Sequence, residues 1–180
     1  MLFGLLVFGT IVATMIWFVT AYNTLVTAAQ RADQAWGNMD ALLRQRHDEI
    51  GKLVEICETH LKYEQATFDR VLDARSELFG ARQTQDAEGL GRAEKTLRSE
   101  LQHLLGLAAT NTELKADAGL AALQQRLATL ETGIVERGEI YNAAVQQNNL
   151  AIDRFPGRVV ATLGGFRPLP PFAFDPGGSS

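Results

Sequence analysis

The feature that most constrains this chain is its opening stretch, in which no charged residue precedes Arg31 and residues 2–21 are almost wholly apolar. About twenty residues of α-helix rise about 30 Å, which matches the hydrocarbon core of a bilayer. The polar side chains in this stretch are threonines, whose hydroxyls can bond to carbonyls of their own helix. We therefore expect residues 1–21 to form a transmembrane anchor.

A cleaved secretory signal fits this stretch less well than an anchor. Such signals begin with basic residues, have a shorter apolar core and end at a cleavage site between small residues. The start of this chain carries no Lys or Arg, and the apolar stretch is longer than a signal core. Basic residues beside a span favour the cytoplasmic side, and the first one, Arg31, lies downstream. We expect an uncleaved single-pass span followed by a cytoplasmic body.

The body is predicted to be helical as far as residue 155, because all five prolines lie at Pro156 or later. Apolar residues recur there at steps of three and four, which places them on one face of a helix. They are Tyr22, Leu25, Ala29, Ala32, Trp36, Met39 and Leu43, then Ile50, Val54, Cys57, Leu61, Phe68, Val71 and Leu78, and finally Leu120, Leu123, Leu127, Leu130, Ile134 and Tyr141. We expect an all-α fold.

Three helix breaks are expected in this body. Residues 80–91 are polar and glycine-rich, and residues 110–113 carry Asn and Thr, whose side chains compete for backbone hydrogen bonds. The third candidate, residues 47–51, depends on Asp48 as a cap and on a glycine. With all three, residues 22–155 form an up-down antiparallel four-helix bundle, which we prefer. Without the third, the first two bundle helices are continuous.

The C-terminal segment, residues 156–174, mixes apolar residues with Pro and Gly and is too short to span a bilayer. It either packs against the bundle, which we prefer, or lies on the lipid headgroups as an interfacial segment. Residues 175–180 are predicted to be a disordered tail.

Three charged residues, Glu64, Arg75 and Arg137, fall where the apolar pattern predicts Leu or Val. A buried charge must be paired, because unpaired burial costs several kcal/mol. We prefer the interpretation that these residues pair with each other, or with Glu131, and so fix the helix register. The alternative is a polar binding site inside the bundle. We call this predicted set the polar seam.

No constellation of residues suited to catalysis is expected. Glu100 and His103 have the Glu-x-x-His spacing of di-iron bundles, but the chain has no second copy of it. Cys57 lies on an apolar stripe, which is typical of a core residue. The net charge of −4 gives no basic field for nucleic acid. We therefore predict no catalytic, cofactor-binding or metal-binding residues, and no nucleic-acid partner.

Short motifs spread over most of the chain resemble those of the LemA family. They are Tyr22-Asn23-Thr24-Leu25-Val26, Ala35-Trp36, Leu43 to Ile50, Leu53-Val54-Glu55, Tyr63-Glu64, Val71 with Ala74-Arg75, Leu114-Lys115-Ala116, Leu123-Gln124, Arg137 with Tyr141-Asn142, Val145, Asn149, and Phe155-Pro156 with Ala161. The order of these motifs over about 150 residues carries the resemblance, and it departs at Gly51-Lys52, where the family usually has Pro-Asn.

The resemblance implies a bacterial protein with one N-terminal membrane helix and a helical bundle, and the family includes magnetosome membrane proteins. It implies no activity and no catalytic residue, since none is agreed for the family. It adds Tyr141 and Asn142 to the polar seam, as residues that shape the bundle.

From these features we expect a non-enzymatic, membrane-anchored scaffold or interaction protein of the bacterial inner membrane. Its expected partners are the lipid bilayer and either other membrane proteins or a second copy of itself. The alternative is a membrane-tethered receptor for a ligand or for envelope stress, which would use the polar seam.

Overall fold

The computed structural model describes residues 2–61, 63–84 and 86–172, and all regular secondary structure among them is α-helical. The all-α prediction is therefore confirmed. The described residues form six helices in chain order: α1 at Leu2–His60, α2 at Gln65–Thr84, α3 at Ala87–Thr110, α4 at Thr112–Lys115, α5 at Ala118–Asp153 and α6 at Gly157–Gly164. The predicted tail at residues 175–180 and the end of the segment 156–174 lie outside the described residues.

Helix α1 runs without interruption through residues 47–51, so the preferred break at Asp48 and Gly51 is wrong. The alternative, in which one helix of about 60 residues begins with the apolar stretch, agrees with α1. A glycine weakens a helix but does not end it. Here the guanidinium of Arg75 in α2 lies 3.2 Å from the position that a Cβ on Gly51 would take. A neighbouring helix therefore packs closely where the break was expected.

The connection that the sequence did not predict lies at residues 61–64, between α1 and α2. The other two breaks fall where they were expected. Asp86 caps α3, with its carboxylate accepting from the backbone N–H of Gly89 at 3.0 Å. Asn111 ends α3 and caps α4, and Asp117 accepts from the N–H of Leu120 at the start of α5.

The chain divides into two compact units. Unit 1 comprises the described residues of Met1–Trp36 and Ile140–Pro171, and unit 2 those of Gly37–Glu139 and Phe172–Ser180. Helices α1 and α5 contribute residues to both units.

The core of unit 2 is built from the second part of α1, from α2 and α3, and from the first part of α5. Its fully buried side chains include Met39, Leu43, Ile50, Leu53, Phe68, Leu90, Leu97, Leu104 and Ile134. Asp40 contacts Arg82, and further along α1 His47 contacts Arg75, so α1 and α2 run antiparallel. Of these, the steps of three and four predicted Met39, Leu43, Ile50, Phe68 and Ile134, whereas Leu53 and the residues of α3 were not assigned to a stripe.

The core of unit 1 is smaller and joins α1 to α6 and to the end of α5. Leu25, Ile152, Val160 and Ala161 form its buried cluster. The segment that follows α6 is tied down by Asn149, whose side chain exchanges two hydrogen bonds with the backbone of Leu169, at 2.8 and 2.9 Å. One face of the C-terminal segment therefore packs on helices of its own unit.

Gly157 allows α6 to begin where it does. A Cβ at this position would lie 1.9 Å from the carbonyl oxygen of Ala151, a distance that no side chain can adopt without a backbone shift. The close approach lets the start of α6 contact the end of α5 and brings Val160 against Leu25. The sequence pattern did not predict α6 as a helix.

Candidate functional site

The first part of α1 is an apolar helix whose described side chains stay exposed. Every described side chain from Phe3 to Thr20 is exposed, and the most apolar window of α1 has a mean hydropathy of 2.1 with none of it buried. It is the one helix among the described residues that is long and apolar enough to cross a membrane. Its threonines bond to carbonyls of their own helix, as expected, for example Thr14 Oγ1 to Thr10 O at 2.8 Å.

Aromatic rings collect in unit 1 where this apolar stretch ends. The ring of Trp17 lies 5.4 Å, centroid to centroid, from that of Phe155 just after α5. Five residues further along α1, the ring of Tyr22 contacts that of Phe166 edge-on at 5.6 Å, centroid to centroid. Between Trp17 and Leu150 runs a mostly apolar groove of about 540 Å³, with Arg154 among its lining residues.

Unit 2 differs in kind, because it buries charged side chains. We call Asp40, Arg46, Arg82 and Glu94 the buried polar cluster. The guanidinium of Arg46 in α1 donates to the carboxylate of Glu94 in α3, and both side chains are only 4% exposed. Such a pair must satisfy its own hydrogen bonds, since desolvation of each ion costs several kcal/mol.

The second pair of the cluster joins α1 to α2. Arg82 donates to Asp40 at 2.7 Å, and the same carboxylate also accepts from Arg44 one turn along α1. The guanidinium of Arg82 lies 4.4 Å from the centroid of the Phe79 ring, where a cation is attracted by the ring face. Together the two pairs of the buried polar cluster link α1 to both α2 and α3.

A cleft of about 600 Å³ opens in unit 2 between α3 and α5, and Arg46 forms part of its lining. Arg98 and Glu131 lie on either side of it and form an ion pair at 3.0 Å. One carboxylate oxygen of Glu94, Oε2, is buried without a hydrogen-bond partner among the described residues. These polar groups are the best candidate in unit 2 for a small-molecule site.

The predicted polar seam is not assembled as one cluster. Glu64 lies in the connection before α2, where its carboxylate is 3.5 Å from the Thr67 hydroxyl. Arg75 lies ten residues into α2, about 15 Å further along the axis, and donates to the carbonyl of His47 at 2.9 Å. Arg137 is exposed on α5, and Glu131 pairs with Arg98 and not with it.

The two residues that the resemblance added lie in unit 1. The phenol of Tyr141 is buried, donates to the carbonyl of Pro170 at 3.2 Å and packs its ring on Trp36 at 5.4 Å. Asn142 is half-buried on the same helix. Tyr141 therefore holds the segment after α6 against α5, which is a structural role.

The signal for the buried polar cluster was present in the sequence but read differently. Arg46 lies three residues after Leu43 and four before Ile50, so it occupies a position of the apolar stripe. Glu94 likewise lies between Leu90 and Leu97 on α3. A charged residue at a stripe position predicts a buried ion pair when a neighbouring helix carries the opposite charge in the same way.

The titratable groups give no sign of an activated nucleophile. Burial raises the pKa of the Cys57 thiol to about 11, so this thiol stays protonated and unreactive at neutral pH. Burial, with the charge of Arg75 second, lowers the pKa of His47. A hydrogen bond from Lys52 lowers the pKa of the half-buried Glu49 carboxylate. Among the described residues no group of three His, Cys, Asp or Glu side chains is placed to hold a metal ion.

The comparisons with known proteins agree with this architecture. The LemA family model matches residues 35–179. Two relatives from Paramagnetospirillum magneticum, magnetosome proteins MamQ 1 and MamQ 2, are each 22% identical over 194 residues, covering 95% of this chain and 71% of the relative. Magnetosome protein MamQ of Magnetospirillum gryphiswaldense is 21% identical over 196 residues, covering 94% and 72%.

An all-α chain with one uncovered apolar helix and a packed helical body is a membrane-associated helical protein. The family match extends over most of the chain, and the chain belongs to the LemA family. The resemblance that the short motifs indicated is thereby confirmed.

Proposed function

We propose that this protein is a non-catalytic, membrane-anchored scaffold of the bacterial inner membrane. In this proposal residues 1–21 span the bilayer once and the helices of unit 2 form an antiparallel four-helix bundle on the cytoplasmic side. The observation that carries it is the exposed apolar part of α1, since apolar surface is unfavourable in water and favourable in lipid. Arg31, the first basic residue after the span, supports the cytoplasmic side.

The distribution of charge in unit 2 supports a scaffold more than an enzyme. The buried polar cluster, Arg46, Arg82, Asp40 and Glu94, forms ion pairs between helices. Residues that specify the register of packed helices are found in buried pairs of this kind. Cys57 is buried and protonated. Among the described residues of unit 2, Tyr63 is the one large apolar side chain that is exposed. Partners on this unit would therefore meet a mainly polar surface.

The partners proposed are other membrane proteins or a second copy of this chain. A photoreactive amino acid in place of Tyr63, which is 99% exposed, tests this in intact membranes. The same probe at the buried Leu97 is the matched control. We expect crosslinked products from the first variant and none from the second. A protein that is monomeric by light scattering in detergent, and that yields no product from any exposed position, would contradict a scaffold.

The side of the membrane is tested by labelling a Tyr63→Cys variant with an impermeant maleimide. Cys57 is buried and serves as the internal unlabelled thiol. We expect labelling in inverted inner-membrane vesicles and protection in intact spheroplasts. The reverse pattern would place unit 2 on the outer side and leave the span itself unaffected.

A ligand-responsive receptor is the second candidate function. The observation that favours it is the cleft lined by Arg46, Arg98 and Glu131, which is a better candidate binding site than the predicted polar seam. Bound ligands raise the melting temperature by mass action, so a thermal-shift screen of small organic acids and amines tests it. The matched variants are Arg98→Ala in the cleft and Arg70→Ala outside it. A response that Arg98→Ala removes and Arg70→Ala keeps supports a receptor, whereas a flat screen contradicts it.

A further inference from the structure

Helix α6 leaves an apolar stripe uncovered in unit 1. Val159 and Leu163 lie four residues apart on one face of α6, and Phe155 lies in the turn that precedes the helix. All three are exposed, Phe155 at 77% and Leu163 at 73%. The opposite face of α6, with Val160 and Ala161, is buried against α1. We call the exposed residues the α6 stripe.

The contacts within unit 1 fix the level of the α6 stripe along α1. Phe155 packs against Trp17, and Gly164 lies beside Tyr22. Trp17 precedes the end of the apolar stretch at Ala21 by four residues, which is about 6 Å of helix. If the apolar stretch spans the bilayer, Phe155 lies at the level of the hydrocarbon core, about 6 Å inside the point at which the span ends. Lipid, and not water, then surrounds that end of the α6 stripe.

Basic side chains flank the α6 stripe. Arg154 and Arg158 each immediately precede a stripe residue, and both are exposed. Neither forms an ion pair with a carboxylate in the described parts of the chain. Apolar side chains beside unpaired arginines are typical of helices that lie in the headgroup layer of anionic membranes.

We propose that residues 154–163 form a second lipid contact, with α6 lying at the boundary between the headgroup layer and the acyl region of an anionic bilayer. The α6 stripe enters the acyl region, and Arg154 and Arg158 contact lipid phosphates. This inference rests on the proposed membrane span. The groove between Trp17 and Leu150 continues the same surface, and it has room for part of an acyl chain. The protein would thus contact the membrane through two elements, the span in α1 and the α6 stripe.

Site-specific fluorescence of the full-length protein in vesicles tests this contact. A Cys57→Ala background carries one added cysteine at Leu163, at Ile11 in the span or at Tyr63 in unit 2, each labelled with an environment-sensitive dye. Vesicles contain equal amounts of phosphatidylcholine and phosphatidylglycerol. We expect the Leu163 dye to be quenched by nitroxides on the acyl chains several-fold more than the Tyr63 dye, and to be protected from aqueous iodide.

The Ile11 dye separates failure of this inference from failure of the proposed span. If lipid nitroxides quench the dye at Ile11 while iodide reaches the one at Leu163, the span stands and the contact of α6 is refuted. If iodide reaches both, the span itself is refuted. A Leu163 dye shielded from iodide and from lipid nitroxides would mean that protein covers the stripe, for example a second copy, and would also overturn the proposal.

The arginines are tested by lipid composition. An Arg154→Gln, Arg158→Gln double variant is expected to lose the extra quenching of the Leu163 dye that phosphatidylglycerol gives over phosphatidylcholine alone. The matched control, Lys95→Gln with Lys115→Gln, removes the same charge from exposed positions in unit 2 and is expected to keep it. Quenching that is independent of phosphatidylglycerol in the parent protein would refute the phosphate contacts.

Discussion

The two units of the chain depart from the usual arrangement of a soluble protein in opposite ways. Unit 1 exposes a long run of apolar side chains on α1 and the α6 stripe, whereas unit 2 exposes few and buries two charged pairs. Exposed apolar surface is costly in water, at about 25 cal/mol per Å², and costs nothing comparable in lipid. The contrast indicates that the surface of unit 1 is suited to lipid and that of unit 2 to water. Unit 2 places its charged pairs in its interior.

The largest expected effect in unit 2 comes from breaking the Arg46–Glu94 pair. Glu94→Ala leaves a buried guanidinium unpaired, and we expect it to lower the free energy of unfolding by about 3–5 kcal/mol. The measurement is urea unfolding in detergent micelles, followed by circular dichroism. The control, Glu100→Ala, breaks the more exposed pair with Arg70, and we expect it to cost about 0–1 kcal/mol.

The same pair allows a sharper test. A double variant, Arg46→Met with Glu94→Leu, is expected to recover most of the stability that Glu94→Ala loses, because an apolar pair of similar volume avoids desolvation. Equal effects of Glu94→Ala and Glu100→Ala would show that Arg46 reaches water, and the contrast between the units would fail.

Truncation of a buried leucine in unit 2 is expected to lower the free energy of unfolding more than truncation of an exposed leucine in unit 1. Leu104 is fully buried in unit 2, and Leu104→Ala should lower the free energy of unfolding by about 2–5 kcal/mol. Leu163 is exposed in unit 1, so Leu163→Ala should change it by no more than about 0.5 kcal/mol. Both are measured in the same micelles, and a large loss from Leu163→Ala would show that protein packs on α6.

Replacement by alanine is expected to change the stability in opposite directions at two glycines. Gly157→Ala places a Cβ against the carbonyl of Ala151 and should cost about 1–3 kcal/mol through the backbone shift it requires. Gly106 lies within α3 with no atom near its Cβ position, so Gly106→Ala should stabilise by about 0.5–1 kcal/mol. The thermal midpoints of the two variants report the signs, and stabilisation by Gly157→Ala would refute the close packing of α6 on α5.

The smallest effect concerns pH. The folded pKa of His47 lies below its ordinary value of 6.5, so between those two values the unfolded chain binds more protons than the folded one. Stability should therefore fall as the pH drops through 6.5 and level off below the folded pKa. His47→Gln should flatten this part of the profile of thermal midpoint against pH. An unchanged profile would assign the dependence to another group.

The sequence allowed α1, α2 and α5 to be predicted as helical from simple periodicity, because most of their buried faces repeat at steps of three and four. No periodic stripe was assigned to α3, and α6 was not predicted as a helix. The connection at residues 61–64 escaped prediction because it contains no Pro or Gly, so no local signal marks it. The preferred break at Gly51 was wrong: a glycine weakens a helix without ending it, and Arg75 of α2 lies close to α1 at this point.

The polar seam failed for a reason of geometry. After Ile134 the buried stripe of α5 takes a step of four to Gly138, whereas the predicted register took a step of three to Arg137, which is exposed. The register carried to Glu64 and Arg75 also crossed the connection at residues 61–64. Arg46 lay between two core residues that were both predicted, and its burial could have been inferred locally.

The central claim is that the first part of α1 remains intact in lipid and tethers the helical body to the membrane. Alkaline carbonate extraction of membranes that contain the full-length protein, with immunodetection of a tag placed before Met1, tests it most directly. We predict that the protein stays in the membrane pellet with the tag attached. Recovery of the body in the supernatant, or loss of the tag from a pelleted or soluble product, would contradict the account.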